Sequence, residues 1–206
     1  MKTIGKLSDT KPNLKLVAVT KGHSPEEIIN MLQKTGIKSI AENRLNEAEE
    51  KFPSLPPNLE KHFIGKLQSR KIKKIVEHFD VIQSVENLKQ VDLISKIKKN
   101  YPIFILVNIS GSTYRSGISI SEAPKLIKEI QSNPNLKLLG VMGIASPNLK
   151  KAKQEFKILK KLQGSLPYCS MGMTQDFQIA LEEGSNMLRL GTLLFQENLP
   201  LLLKFE

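Results

Sequence analysis

The sequence predicts a parallel (β/α)8 barrel of the TIM type, and three observations carry that expectation. Short apolar runs alternate with helix-period segments from one end of the chain to the other, in about eight strand–helix units. No linker or low-complexity tract interrupts the 206 residues, so one domain spanning 1–206 with a sizeable core is expected. Residues able to do chemistry recur directly after the apolar runs, where a parallel barrel forms its active face. A doubly wound open sheet would also alternate strands and helices, but the number of units favours closure. The chain is short beside the roughly 250 residues typical of such barrels. Its helices must be brief and its loops tight, which leaves little room for a second catalytic domain.

The elements follow in order. Leu16-Val17-Ala18-Val19 is the first strand-like run. Ser24 is then placed as an N-cap, Pro25 in the first helical turn and Glu27 for a capping box. Ile28, Ile29 and Leu32 give that helix an apolar face, and Gly36 stops it. Ile37-Lys38-Ser39-Ile40 reads as the second strand. Further strands begin near His62, Val81, Ile103, Leu138, Tyr168 and Met187. Among the helices between them are Leu88 to Ile97, Ala152 to Leu162 (Ala152, Phe156, Leu159 and Leu162 at helical spacing) and Thr174 to Glu183, which ends at Gly184.

Composition narrows the class. A hydrophobic fraction of 40% and a charged fraction of 25% suit a soluble globular protein. The longest apolar stretch, around Ile103 to Val107, is too short to span a bilayer, so no membrane association is expected. The amino terminus lacks a basic region followed by an apolar run, so no signal peptide is expected. The single cysteine, Cys169, excludes an internal disulfide and a Cys-rich metal site. No other ligand spacing argues for a metal. A cytoplasmic location follows. The net charge of +11 raises nucleic acid as a partner. Yet the densest cluster, KLQSRKIKK from Lys66 to Lys74, reads as one face of an amphipathic helix with few aromatics near it for base stacking. Solvated lysine-rich faces are the better account, and nucleic acid is not expected. The charge would still help recruit a phosphorylated small molecule.

The residues after each strand carry the chemistry. They are Thr20-Lys21-Gly22-His23, Glu42-Asn43-Arg44, His62-Phe63-Ile64-Gly65, Asn108, Met142, Ser170-Met171-Gly172-Met173 and Arg189-Leu190-Gly191-Thr192. Barrels often hold phosphate between the loops after strands seven and eight. Ser170 and Thr192 offer hydroxyls there, and Gly172 and Gly191 let backbone N–H groups approach an anion. Lys21 ends an apolar strand and points into the mouth, where a desolvated amine can act as a nucleophile. A surface lysine is the ordinary alternative, and on position alone it wins. With the phosphate cup added, the pair describes an aldehyde cofactor with a phosphate tail. His62 either faces that cofactor or is a hydrogen-bonded core histidine, with equal claim. His23 and His78 are structural or exposed. Alternation turns Cys169 to the other face of the barrel, as packing.

Together these segments resemble the pyridoxal phosphate homeostasis protein family (the YggS/PROSC proteins). The matching stretches are LVAVTKGHSPEEI, IAENRLNEAEEK, HFIGKLQSRK, YRSGI, GVMGI and SMGMTQDFQIALEEGSNMLRLGT, in family order over nearly the whole chain. The resemblance implies a barrel of the alanine racemase N-terminal domain type, without that enzyme's second domain, and with abbreviated termini. It implies pyridoxal 5′-phosphate as a Schiff base on Lys21, its phosphate on Ser170, Gly172, Gly191 and Thr192, and Arg189 beside the pyridine nitrogen. Asn43 and Met142 would line the pocket, with His62 near it. The implied role is intracellular cofactor homeostasis, as a monomeric carrier, buffer or regulator that serves pyridoxal phosphate-dependent apoenzymes without robust turnover.

The alternative is an amino-acid racemase or decarboxylase. Arginine stays protonated and cannot stabilise a pyridinium, which weakens the ring as an electron sink. Racemisation also needs a base opposite Lys21, for which His62 is the one candidate. The sequence departs from the family pattern at Ala41 (commonly Gly), Arg44 (Tyr), Arg70 (Asn) and Arg115 (Lys). It also departs in a short amino terminus and, from Gln196 onward, in the loss of the usual Gly-x-Arg ending. How these termini close the barrel is the point the sequence leaves open.

Overall fold

Eight strands form where the chain runs apolar, and they pair in parallel around a closed barrel, β1 to β8 in sequence order. The computed structural model describes residues 13–196; the expectations for the short amino terminus and for the ending beyond Gln196 lie outside them. The strands are β1 (Lys15–Val19), β2 (Ser39–Glu42), β3 (Glu60–Phe63), β4 (Val81–Val85), β5 (Tyr101–Val107), β6 (Leu136–Gly143), β7 (Tyr168–Ser170) and β8 (Met187–Leu190). Between them lie α1 (Pro25–Thr35), α2 (Leu45–Lys51), α3 (Ile72–His78), α4 (Leu88–Ser95), α5 (Ala123–Gln131), α6 (Leu149–Gln163) and α7 (Phe177–Glu182). β1 and β8 pair from Lys15↔Met187 to Ala18↔Leu190, so the sheet has no open edge and the doubly wound alternative falls.

Local chemistry sets the element ends. The Ser24 hydroxyl accepts from the Glu27 N–H at 3.2 Å, and the Glu27 carboxylate accepts from the Ser24 N–H at 2.7 Å. That reciprocal box satisfies two otherwise orphaned donors at the start of α1. Gly36, at φ 70°, turns the chain out of the helix while its N–H still bonds the Leu32 carbonyl. α7 is shorter than its periodicity suggests. Asp176 takes the Met173 N–H at 2.6 Å and holds 173–176 as a turn, so the helix begins at Phe177. The Lys66–Lys74 cluster also departs from expectation. Ser69–Lys71 is a single 3-10 turn, and only from Ile72 is the segment α-helical.

Period-two alternation sorts side chains between two apolar layers. Val17, Ala41, Val81, Phe104, Leu106, Met142 and Met187 fill the lumen. Leu16, Ala18, Ile40, Ile103, Ile105, Cys169, Leu188 and Leu190 face outward, where they pack under the helices with Ile28, Ile94, Phe156 and Leu159. Near the seam, the Phe195 ring stacks on His23 with centroids 3.5 Å apart.

Candidate functional site

Alternation along β1 puts Val17 and Val19 in the lumen layer and so sets Lys21 on the lumen side of the mouth. Lys21 is exposed there and lines a cleft of about 380 Å³ together with Val19, Thr174, Arg189, Gly191 and Thr192. The turn that carries Lys21 is held on both sides. The half-buried Lys51 side chain, reaching over from the end of α2, donates to the Thr20 carbonyl at 3.0 Å, to Glu42 at 2.9 Å and to Glu47 at 3.2 Å. Glu47 in turn accepts the Gly22 N–H at 3.2 Å. Burial works to raise the Glu47 carboxyl, but the Gly22 N–H and Lys51 outweigh it and hold the group below the usual range.

Three of the other lining residues bring unpaired backbone donors to the cleft. The N–H groups of Thr174, Gly191 and Thr192 find no acceptor among the described residues. Thr192 also opens a 3-10 turn, Thr192–Phe195. Backbone N–H groups of this kind make an anion site. On the β8 side Gly191 and Thr192, both expected at the cup, line this cleft. On the β7 side the lining starts at Met173, three residues later than the expected Ser170. The β7–β8 ladder runs on past Ser170, through Met171 N–H to the Met187 carbonyl and Arg189 N–H to the Gly172 carbonyl. Ser170 lies wholly buried beneath the cleft, and its hydroxyl is already bonded to Gln83 and Arg189. A Cβ on Gly172 would meet the Ala180 and Leu188 side chains at 2.6 and 2.7 Å, so this glycine permits helix–strand packing. Met173 and Thr174 line the cleft instead. The signal for Thr174 was its hydroxyl in the same SMGMT segment.

The Arg189 guanidinium is buried and reaches the cleft floor. It donates to the Ser170 carbonyl at 2.7 Å, the Ser170 hydroxyl at 2.8 Å and the Gly143 carbonyl at 2.9 Å. Burial pulls its pKa to about 10, which leaves it cationic at neutral pH. His62 is wholly buried, with Nε2 2.9 Å from Glu60 and Nδ1 2.9 Å from the Gln83 amide. Burial draws its pKa below the usual value against the pull of Glu60. Of its two expected roles, the structure realises the core histidine. With both nitrogens engaged, His62 is not a base facing Lys21.

Met142 is buried at the edge of an adjoining recess of about 340 Å³, shared with Lys66, Asn108 and Arg115. Arg115 borders both spaces and donates to the Ile144 and Ala145 carbonyls at 2.8 and 2.6 Å. Sequence reasoning noted it only as a departure from the family pattern. Asn43 is half-buried at the end of β2, and its Oδ1 is buried without a partner among the described residues. The rim residue Arg44 is exposed and pairs with Glu47. Cys169 sits in the outer layer against Met171, and burial pushes its thiol up to about 12, so it stays protonated. Among the described residues no group of three or more His, Cys, Asp or Glu side chains could hold a metal. No helix there is long and apolar enough to cross a membrane.

A closed eight-stranded parallel barrel with a lysine after β1 and an arginine on β8 goes with a match to the family model described as "Alanine racemase, N-terminal domain". That model matches residues 2–198. Within this class the chain belongs to the pyridoxal phosphate homeostasis protein family. The pyridoxal phosphate homeostasis protein of Pasteurella multocida is 36% identical over 200 residues, 88% of this chain and 85% of the relative. PipY of Synechococcus elongatus, solved with pyridoxal phosphate bound, superposes with a TM-score of 0.80 at 27% identity and covers 90% of this chain and 93% of its own. The alanine racemase of Clostridium difficile shares the fold at a TM-score of 0.74 and 15% identity, over 89% of this chain but 52% of the racemase.

Proposed function

We propose that this protein carries pyridoxal 5′-phosphate on Lys21 and serves intracellular cofactor homeostasis as a carrier, buffer or regulator. The observation that carries the reading is the cleft itself: a lumen-side amine, Lys21, shares it with Thr174, Gly191 and Thr192, whose N–H groups find no acceptor among the described residues. The relatives support it, one being named for this homeostasis and another solved with the cofactor. The residues present fit the group. The three amides and the Thr192 hydroxyl match a phosphate dianion. The orphaned Asn43 Oδ1 is a further acceptor, though Asn43 itself lines neither the cleft nor the adjoining recess. Arg189, at the cleft floor, would offer N–H donors to the ring nitrogen and disfavour its protonation. When bound, the cofactor supplies an aldehyde that an amine captures as a Schiff base.

The same residues argue against amino-acid turnover. A ring nitrogen held by an arginine is a weak electron sink. His62, the candidate for the opposite base, is locked between Glu60 and Gln83. In this reading the chain is one cofactor-binding domain over 1–206. It is monomeric and cytoplasmic, and it passes its cargo to pyridoxal phosphate-dependent apoenzymes. The test is an absorbance spectrum of the purified protein before and after borohydride reduction, followed by peptide mapping. The label should fall on the Lys21 peptide. Labelling elsewhere, with Lys21→Ala still yellow, would refute the assignment.

A further inference from the structure

Beneath Arg189 the barrel lumen contains a column of polar side chains to which the binding reading gives no part. It starts at the amino-terminal end of the strands with Lys15 and Glu60, which form an ion pair. It continues through His62, Gln83 and Ser170 and ends on Arg189 at the cleft floor. His62, Gln83 and Ser170 are wholly buried, and Arg189 is 3% exposed. We infer that Gln83 and His62 are positioning residues: through Ser170 they fix the Arg189 guanidinium that faces the ring of the bound cofactor.

The direction of every bond in the column follows from the chemistry of its ends. Arg189 can only donate, so the Ser170 hydroxyl oxygen accepts from NH1 at 2.8 Å. The single hydroxyl hydrogen of Ser170 is then free to go to Gln83 Oε1, 2.7 Å away. That fixes the Gln83 amide with its nitrogen toward His62 Nδ1, at 2.9 Å, so Nδ1 must accept. His62 therefore carries its proton on Nε2 and donates it to the Glu60 carboxylate at 2.9 Å. A group that only donates and one that only accepts leave one consistent arrangement between them. Glu60 is anchored as the accepting end. Burial works to raise its carboxyl, but the His62 hydrogen bond and the Lys15 charge hold it well below the usual range. The charged groups acting on His62 are Glu60, Lys15 and Asp80.

Gln83 thus keeps the Ser170 hydrogen pointed away from Arg189 and a lone pair pointed toward it. Without that acceptor the hydroxyl is free to turn. NH1 then loses one of its two bonds and the guanidinium loses its set orientation. The effect depends on the proposed placement of the cofactor beside Arg189, so the test must separate the two ideas.

The full chain is stripped of cofactor and titrated with pyridoxal 5′-phosphate, reading affinity and the absorption band of the bound form, with a melting curve for each variant. Gln83→Leu and Ser170→Ala should each weaken binding about ten-fold and move the band. The double variant should be no weaker than Ser170→Ala alone, because Gln83 acts through Ser170. Gln83→Glu keeps an acceptor for Ser170 and should recover most of the lost affinity. A carboxylate cannot donate to His62 Nδ1, so its band should gain a pH dependence as His62 takes up a proton. Losses that add in the double variant, or a Gln83→Leu protein that binds and absorbs like the wild type, would overturn the inference. If Gln83→Leu does not fold, a Gln83→Glu protein as impaired as Ser170→Ala overturns it equally. Should one of these overturning results appear while borohydride labelling stays on Lys21, the positioning column alone has failed. Labelling of another residue in the wild type marks a failure of the binding reading beneath it.

Discussion

Gly172→Ala tests whether this glycine serves packing or the anion. Its φ is +97°, and an added Cβ would lie 2.6 Å from Ala180 Cβ, 2.7 Å from Leu188 Cδ2 and 3.2 Å from Phe177 Cα. A side chain in the left-handed region costs about 1–2 kcal/mol. Forcing a methyl group into a filled interior adds about 1–3 kcal/mol, because α7 and β8 cannot both retreat. The sum is ~2–5 kcal/mol, which for a chain of this size lowers Tm by roughly 4–20 °C. Thermal melts followed by circular dichroism measure the loss, and titration well below Tm measures cofactor affinity of the folded protein. Tm should fall by that amount while affinity stays close to that of the wild type. A variant that melts with the wild type but loses affinity for the phosphorylated cofactor would show that Gly172 serves the anion, and the packing account would fail.

Thr192→Val removes a hydroxyl donor to a dianion, worth about 1.5–3 kcal/mol. Affinity for pyridoxal 5′-phosphate should fall ten-fold or more while that for unphosphorylated pyridoxal hardly changes; equal losses would place the phosphate elsewhere. Stability should also fall on mild acidification. Burial lowers the His62 pKa in the folded state, so below the ordinary value of about 6.5 the unfolded chain takes up a proton that the native state refuses. Glu60, also depressed in the folded protein, adds a second loss below about pH 4.3. Melts from pH 7.5 to 5 should show the first limb, and His62→Gln should flatten it; a wild-type Tm constant over that range contradicts the buried, neutral histidine. Finally, the cofactor-loaded protein should exchange the α-hydrogen of alanine or serine for deuterium slowly at most. Racemisation near a typical enzymatic ~10 per second would replace the carrier reading with an enzyme.

Much of this protein was legible because local rules decide it. The capping box at Ser24 and the left-handed stop at Gly36 involve neighbours in the chain. Alternation alone sets Lys21 toward the lumen and parts Cys169 from Ser170, since successive strand side chains must point to opposite faces. The strand count carried the barrel for the same reason. The depth of the mouth was a different matter. Ser170 and Gly172 lie under the cleft and Thr174 on it because the β7–β8 ladder continues to Gly172. How far a ladder runs depends on the stagger of the partner strand, which no pattern within one segment records. His62 shows the same division. From the sequence it was equally a cofactor neighbour and a core residue, and its partners settle the matter: Glu60 on its own strand, then Gln83 on β4, which is bound in turn to Ser170 on β7. The sequence by itself determined which side chains face the lumen. Only the closed barrel decided how deep each one lies and which partner it meets, because those distances are set between strands remote in the chain.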